Sequence, residues 1–91
     1  MKPPPGNELS ILGGNIRRRR YALNISQDEL AARAGLHRTY ICSVEQGARN
    51  LTFYSLLAIA NGLGVTLLEL MAGVQSPPEA RVAKTYVEEP I

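Results

Sequence analysis

Residues 26–47, SQDELAARAGLHRTYICSVEQG, constrain this chain more than any other stretch, because their spacing fits two short helices meeting at a tight turn. Ser26 is followed three residues on by Glu29, the pattern of a capping box in which the hydroxyl accepts from the Glu29 amide and the carboxylate returns to the Ser26 amide. A helix is expected to begin there. Leu30, Ala31 and Ala34 share one of its faces, and Gly35 falls where the chain must reverse through a left-handed conformation. In the next segment Ile41 and Val44 turn inward with Leu36, while Arg38, Thr39, Cys42, Ser43 and Gln46 occupy the other side of the helical wheel. Gly47 supplies a second stop, and Ala48-Arg49-Asn50 beyond it is too polar for a core.

A second short helix with a polar outer face, set by a glycine turn against an apolar first helix, is the layout of a helix-turn-helix. On these residues the chain resembles the phage-repressor and Cro class of helix-turn-helix regulators, and within it the controller proteins of restriction-modification systems. The resemblance spans roughly residues 9–73. It rests on Ser26-Gln27, Leu30-Ala31, Gly35, Ile41, Glu45-Gln46-Gly47 and Leu63-Gly64-Val65, with Leu36-His37-Arg38-Thr39-Tyr40-Ile41 as the recognition segment and Arg49 and Asn50 after it. It implies an all-α fold, a compact five-helix bundle of the lambda-repressor-like DNA-binding type, with the helix-turn-helix at the second and third helices.

The remaining chain is consistent with that expectation. In 91 residues there is one small domain, which at this size buries about two-thirds of its unfolded surface and gains from dimerisation. Few aromatic residues and plentiful aliphatic ones favour helical packing over a β-sandwich. Residues 1–8 read as a flexible Pro-rich arm, residues 9–74 as the DNA-binding and dimerisation domain, and residues 75–91 as a flexible tail after Ser76-Pro77-Pro78. In the tail, Val82, Lys84, Tyr86 and Glu88 alternate weakly with their neighbours, compatible with an added strand or with disorder. Ile11, Leu12, Ile16, Arg20 and Leu23 recur at helical spacing in a first helix stopped by Asn24. Thr52 caps a fourth helix with the stripe Leu56, Ile59, Ala60 and Leu63, ended by Gly64. Thr66 and Glu69 form a second capping box for a fifth helix, where Leu67, Leu68, Leu70 and Met71 exceed what one buried face requires. Some of these are expected to meet a partner. The resemblance places a two-fold dimer contact there.

Charge is unevenly distributed. The net charge is +2, yet residues 11–50 hold seven arginines against Asp28, Glu29 and Glu45. The tail sets Arg81 and Lys84 against Glu79, Glu88 and Glu89, so it is not expected to bind DNA. Four arginines in a row, Arg17 to Arg20, point in four directions on a helix, so one faces the core, and register selects Arg20. In the resembled family the matching arginine pairs with the counterpart of Glu45, which implies a structural ion pair here. Arg17 and Arg18 are candidates for phosphate contacts or simply solvated surface. Gln27, at the positive end of the second helix, is a phosphate candidate on its position and on the family's use of its counterpart. Gln46, Arg49 and Asn50 complete the phosphate set.

Arg38 is the leading base reader, since the first turn of a recognition helix enters the major groove and a guanidinium bonds guanine O6 and N7 together. A phosphate clamp is its alternative. Thr39 offers a methyl or hydroxyl to a base edge, Tyr40 reaches a base step or a phosphate, and Ser43 sits one turn beyond Thr39. His37 reads as an exposed helix-start residue, and Cys42 as an ordinary thiol rather than a redox switch.

These features describe a homodimeric regulator that binds double-stranded DNA in successive major grooves about one turn apart. RNA polymerase is a further candidate partner, because an operator beside a promoter allows activation as well as exclusion. The alternative is an antitoxin that uses the same module for autoregulation and the tail to mask a toxin. No enzyme is expected: the chain holds one His, one Cys and no glycine-rich phosphate loop. No metal site, cofactor, small-molecule ligand or membrane segment is expected either, and the single cysteine and absent leader-like apolar run suit a cytoplasmic protein.

Overall fold

The computed structural model describes residues 7–75; most of the Pro-rich arm and the tail from residue 76, with its alternating segment, lie outside the described residues. Five helices follow in order: α1 Glu8–Ala22, α2 Gln27–Ala34, α3 Arg38–Glu45, α4 Phe53–Leu63 and α5 Leu67–Leu70. No strand occurs among the described residues. α2 packs on both α3 and α4, and α1 lies against α3 with its other side toward α4 and α5.

The starts of α2, α4 and α5 follow from their caps. The hydroxyls of Ser26, Thr52 and Thr66 each accept from the backbone amide three residues on, at 3.0 Å in every case. The box at Thr66 is reciprocal, with Glu69 Oε1 accepting from the Thr66 amide at 2.9 Å. The box expected at Ser26 is only half made. Glu29 turns away and accepts from Arg33 Nε at 3.1 Å, one turn along α2, while Arg33 Nη1 also donates to the Gly62 carbonyl at 3.2 Å. An arginine that both pairs with a carboxylate and caps the end of α4 competes successfully for Glu29.

The stops sit where the residues require. Asn24 has φ 57° and Gly35 φ 69°, the left-handed values that end α1 and reverse the chain between α2 and α3. The core is formed by Leu12, Ile16, Leu30, Ala31, Ile41, Val44, Leu56, Ile59, Ala60, Leu63 and Leu70. Two expectations need correction. Leu23 lies just past the end of α1 and is exposed, because the helix stops before its side chain comes round to the core. Leu70 is completely buried in the chain's own core and so does not belong to an outward-facing surface; Leu67 is half-buried against that core, and Leu68 and Met71 are exposed.

Two contacts fix α1. Asn15 is buried and donates through Nδ2 to the carbonyls of Leu70 and Ala72, both at 2.8 Å, which ties the end of α5 to the first helix. Gly13 lets α1 approach the end of α3 so closely that a Cβ there would stand 2.6 Å from the Glu45 carbonyl oxygen.

Candidate nucleic-acid interface

Glu45, the last residue of α3, is almost wholly buried, and its carboxylate gathers three elements. Arg20 of α1 donates to it twice, from Nε to Oε2 at 2.6 Å and from Nη2 to Oε1 at 3.0 Å. Gln27 of α2 donates from Nε2 to Oε1 at 3.1 Å, and Arg17 Nε lies 3.7 Å from the same oxygen. Arg20 spends a further donor on the Ile25 carbonyl at 3.0 Å. Burial by itself pushes the Glu45 carboxyl up, but the bonds from Arg20 and Gln27 and the charges of Arg20 and Arg17 outweigh it and hold the group below the usual carboxylate range. The bond to Glu45 conversely raises Arg20. A bidentate arginine–carboxylate pair of this kind fixes direction as well as distance, so the start of α2 and the whole of α3 are held in register with α1.

On that frame the first turn of α3 stands clear of the core. Arg38 and Thr39 are exposed, and Tyr40 and Ser43 are half-buried. His37, the residue preceding α3, makes no side-chain cap. The end of α3 closes as a Schellman motif, with the Gly47 amide donating to Val44 at 3.0 Å and the Ala48 amide to Ser43 at 2.9 Å. This turn brings the following chain back toward the helix, and the Arg49 guanidinium lies over the Tyr40 ring, 5.0 Å from its centroid. Asn50 and Gln46 are exposed, the latter with its amide 3.6 Å from Cys42 Sγ.

Arg17 and Arg18, each a candidate for a phosphate contact or for solvated surface, do not share a face. Arg17 points toward α3, where Nη2 donates to the Glu45 carbonyl at 3.0 Å, yet its side chain remains 42% exposed. Arg18 turns the other way, donates to Asn15 Oδ1, and lines a cleft between α1 and α5 with Arg19, Glu69 and Ala72. One step along a helix is about 100°, enough to carry it off the surface that α3 presents. Three features had no signal in the sequence: the Arg49–Tyr40 stack, the buried Asn15, and a pairing of Arg38 Nε with Asp28 Oδ1 at 3.5 Å.

The helix-turn-helix family profile matches residues 16–70, which include both the frame and the exposed turn of α3. The chain belongs to this helix-turn-helix family. Among its relatives, control protein C.SmaI of Serratia marcescens is 44% identical over 61 residues, covering 67% of this chain and 73% of that protein. The restriction-modification controller protein C.AhdI from Aeromonas hydrophila superposes with a TM-score of 0.70 at 35% identity, covering 71% of this chain and 98% of the controller. The controller protein C.Esp1396I, solved as a tetramer on its natural 35-base-pair operator, superposes with a TM-score of 0.65 at 33% identity, over 72% of this chain and 96% of that one. These helix-turn-helix relatives are regulators rather than enzymes, and the antitoxin alternative draws no support from them. Among the described residues no helix is long and apolar enough to cross a membrane.

Proposed function

We propose that this protein is a sequence-specific transcriptional regulator of the restriction-modification controller type, which binds a pseudo-palindromic operator as a homodimer through residues 9–74. The observation that carries the reading is the exposed first turn of α3, held on a frame that Glu45 locks to α1 and α2. Arg38 reads a base edge, with Thr39, Tyr40 and Ser43 beside it. Phosphates are taken by Arg49 and Asn50, by Gln46, by the exposed part of Arg17, and by the free amides at the start of α2 where Gln27 stands. Leu68 and Met71 supply the apolar contact to a second subunit. The relatives named above support this reading, and one of them meets its operator as an oligomer. Such a protein acts in the cytoplasm, where its DNA is, and an operator beside a promoter brings it within reach of RNA polymerase.

The test is selection of duplexes from a random-sequence pool by the full chain. Two related half-sites about one helical turn apart are expected. Arg38→Ala should then cost about 1 to 3 kcal/mol on the selected operator and little on random DNA, and should flatten the preference at one base pair of each half-site. Equal losses on both DNAs, with base preferences intact, would make Arg38 a phosphate clamp and return the reading to Thr39, Tyr40 and Ser43.

A further inference from the structure

Asp28 stands in the first turn of α2, with its side chain 76% exposed and Oδ1 3.5 Å from Arg38 Nε. An acid at a helix start is at home with the helix dipole, and an exposed ion pair adds little to stability. Its position gives it more to do. The closest approach is at Nε, the inner nitrogen of the guanidinium, and the pairing is one of charge: among the described residues no nitrogen of Arg38 is hydrogen-bonded to protein. Its terminal donors form the fork that matches guanine O6 and N7. The carboxylate therefore draws the long side chain toward the start of α2 by charge and leaves its donors unspent.

The same carboxylate has a second effect. DNA presents phosphates everywhere and a correctly placed guanine only at the operator. A negative charge beside Arg38 offsets part of the charge by which that side chain attracts phosphates. On the operator the loss is compensated, because an Arg38 already oriented delivers its fork to the base. On other sequences nothing compensates it.

We propose that Asp28 is a specificity-determining positioning residue of this interface: its charge holds the Arg38 guanidinium between the starts of α2 and α3, where the fork can meet a base edge, and penalises binding where no guanine receives the fork. The inference rests on the reading of α3 as the base-reading helix.

The experiment uses the full chain, the operator selected by the wild-type protein, and a random duplex, with Asp28→Asn, Arg38→Ala and the double variant compared for affinity, base preference and unfolding temperature. Asp28→Asn keeps the size and removes the charge; Asp28→Ser, which also suits a helix start, guards against an effect peculiar to asparagine. Asp28→Asn is expected to tighten binding to random DNA about three- to tenfold and to change operator affinity by less than about twofold, so that discrimination falls. Preference at the base pair assigned to Arg38 should weaken. In the Arg38→Ala background the same substitution should change both DNAs by one common factor. An equal change on both DNAs in the wild-type background overturns the proposal and leaves Asp28 a surface charge. A loss on both that tracks a lowered unfolding temperature, for both Asp28 variants, overturns it in favour of a role at the helix end only. If Arg38→Ala abolishes the base preference while Asp28→Asn leaves discrimination intact, the inference fails alone; if Arg38→Ala leaves the preference intact, the base-reading assignment falls and the inference with it.

Discussion

Arg20 and Glu45 carry opposite charges into an interior whose only other buried polar side chain, among the described residues, is Asn15. A pair of this kind is costly to break from one side, since the survivor keeps its charge without a counterion. Glu45→Gln is expected to cost about 3 to 5 kcal/mol, read as a lower urea midpoint at neutral pH. The pH dependence has a definite sign. Because the folded protein holds Glu45 below its unfolded value, its contribution is present above the ordinary carboxylate range and is lost as pH falls through the depressed value. The stability gap between wild type and Glu45→Gln should therefore be widest near neutrality and close in acid, which denaturation between pH 7 and 3 will show. Gly13 makes a different prediction. Alanine is the better helix former, but here its Cβ would meet the Glu45 carbonyl at 2.6 Å, so Gly13→Ala should destabilise by about 1 to 3 kcal/mol instead of gaining the usual ~1 kcal/mol. A urea midpoint above wild type would contradict the close approach of α1 to α3.

At the level of elements, much was legible because the relevant chemistry is local. Ser26, Thr52 and Thr66 announce helix starts through a hydroxyl three residues before the amide it meets, and the α4 stripe of Leu56, Ile59, Ala60 and Leu63 announces its buried face by period alone. What was not legible depends on partners distant in the chain. Asn15 reads as a polar residue on a helix until its acceptors, 55 and 57 positions away, are known. Glu29 looked like half of a capping box because its competitor's second bond, from Arg33 to Gly62, joins two helices. Arg17 and Arg18 looked equivalent until α3 and α5 were seen to lie on different sides of α1. The four-residue α5 depends most on its cap. Thr66→Ala removes the acceptor for the Glu69 amide while the backbone amide of residue 66 still donates to the Glu69 carboxylate, and is expected to cost about 1 kcal/mol by urea denaturation. Hydrogen exchange should rise first at α5.

For the whole molecule, the burial pattern separates two uses of leucine that sequence alone ran together. Leu70 is 0% exposed and Leu68 84%, so a substitution at each should fail in its own way. Leu70→Ala should destabilise the fold by about 2 to 5 kcal/mol, as core truncations do. Leu68→Ser combined with Met71→Ser should leave the core intact and shift the sedimenting species from dimer toward monomer, with operator affinity falling in step. A double variant that remains dimeric would move the subunit contact off the α5 region. The tail belongs to this scale as well. Among the described residues every fully buried core residue lies between Leu12 and Leu70, and the tail beyond Ser76-Pro77-Pro78 is mildly acidic, so a chain ending at Val74 should retain operator affinity to within about tenfold, or ~1.4 kcal/mol, by titration.

The carboxylate of Glu45 has one more consequence, which belongs to the heat of binding. With α1, α2 and α3 bonded to one buried group before any DNA arrives, the surface that enters the groove is already ordered. Its heat-capacity change on binding should then track the contact area removed from water, without the much larger negative value of a segment that folds as it binds.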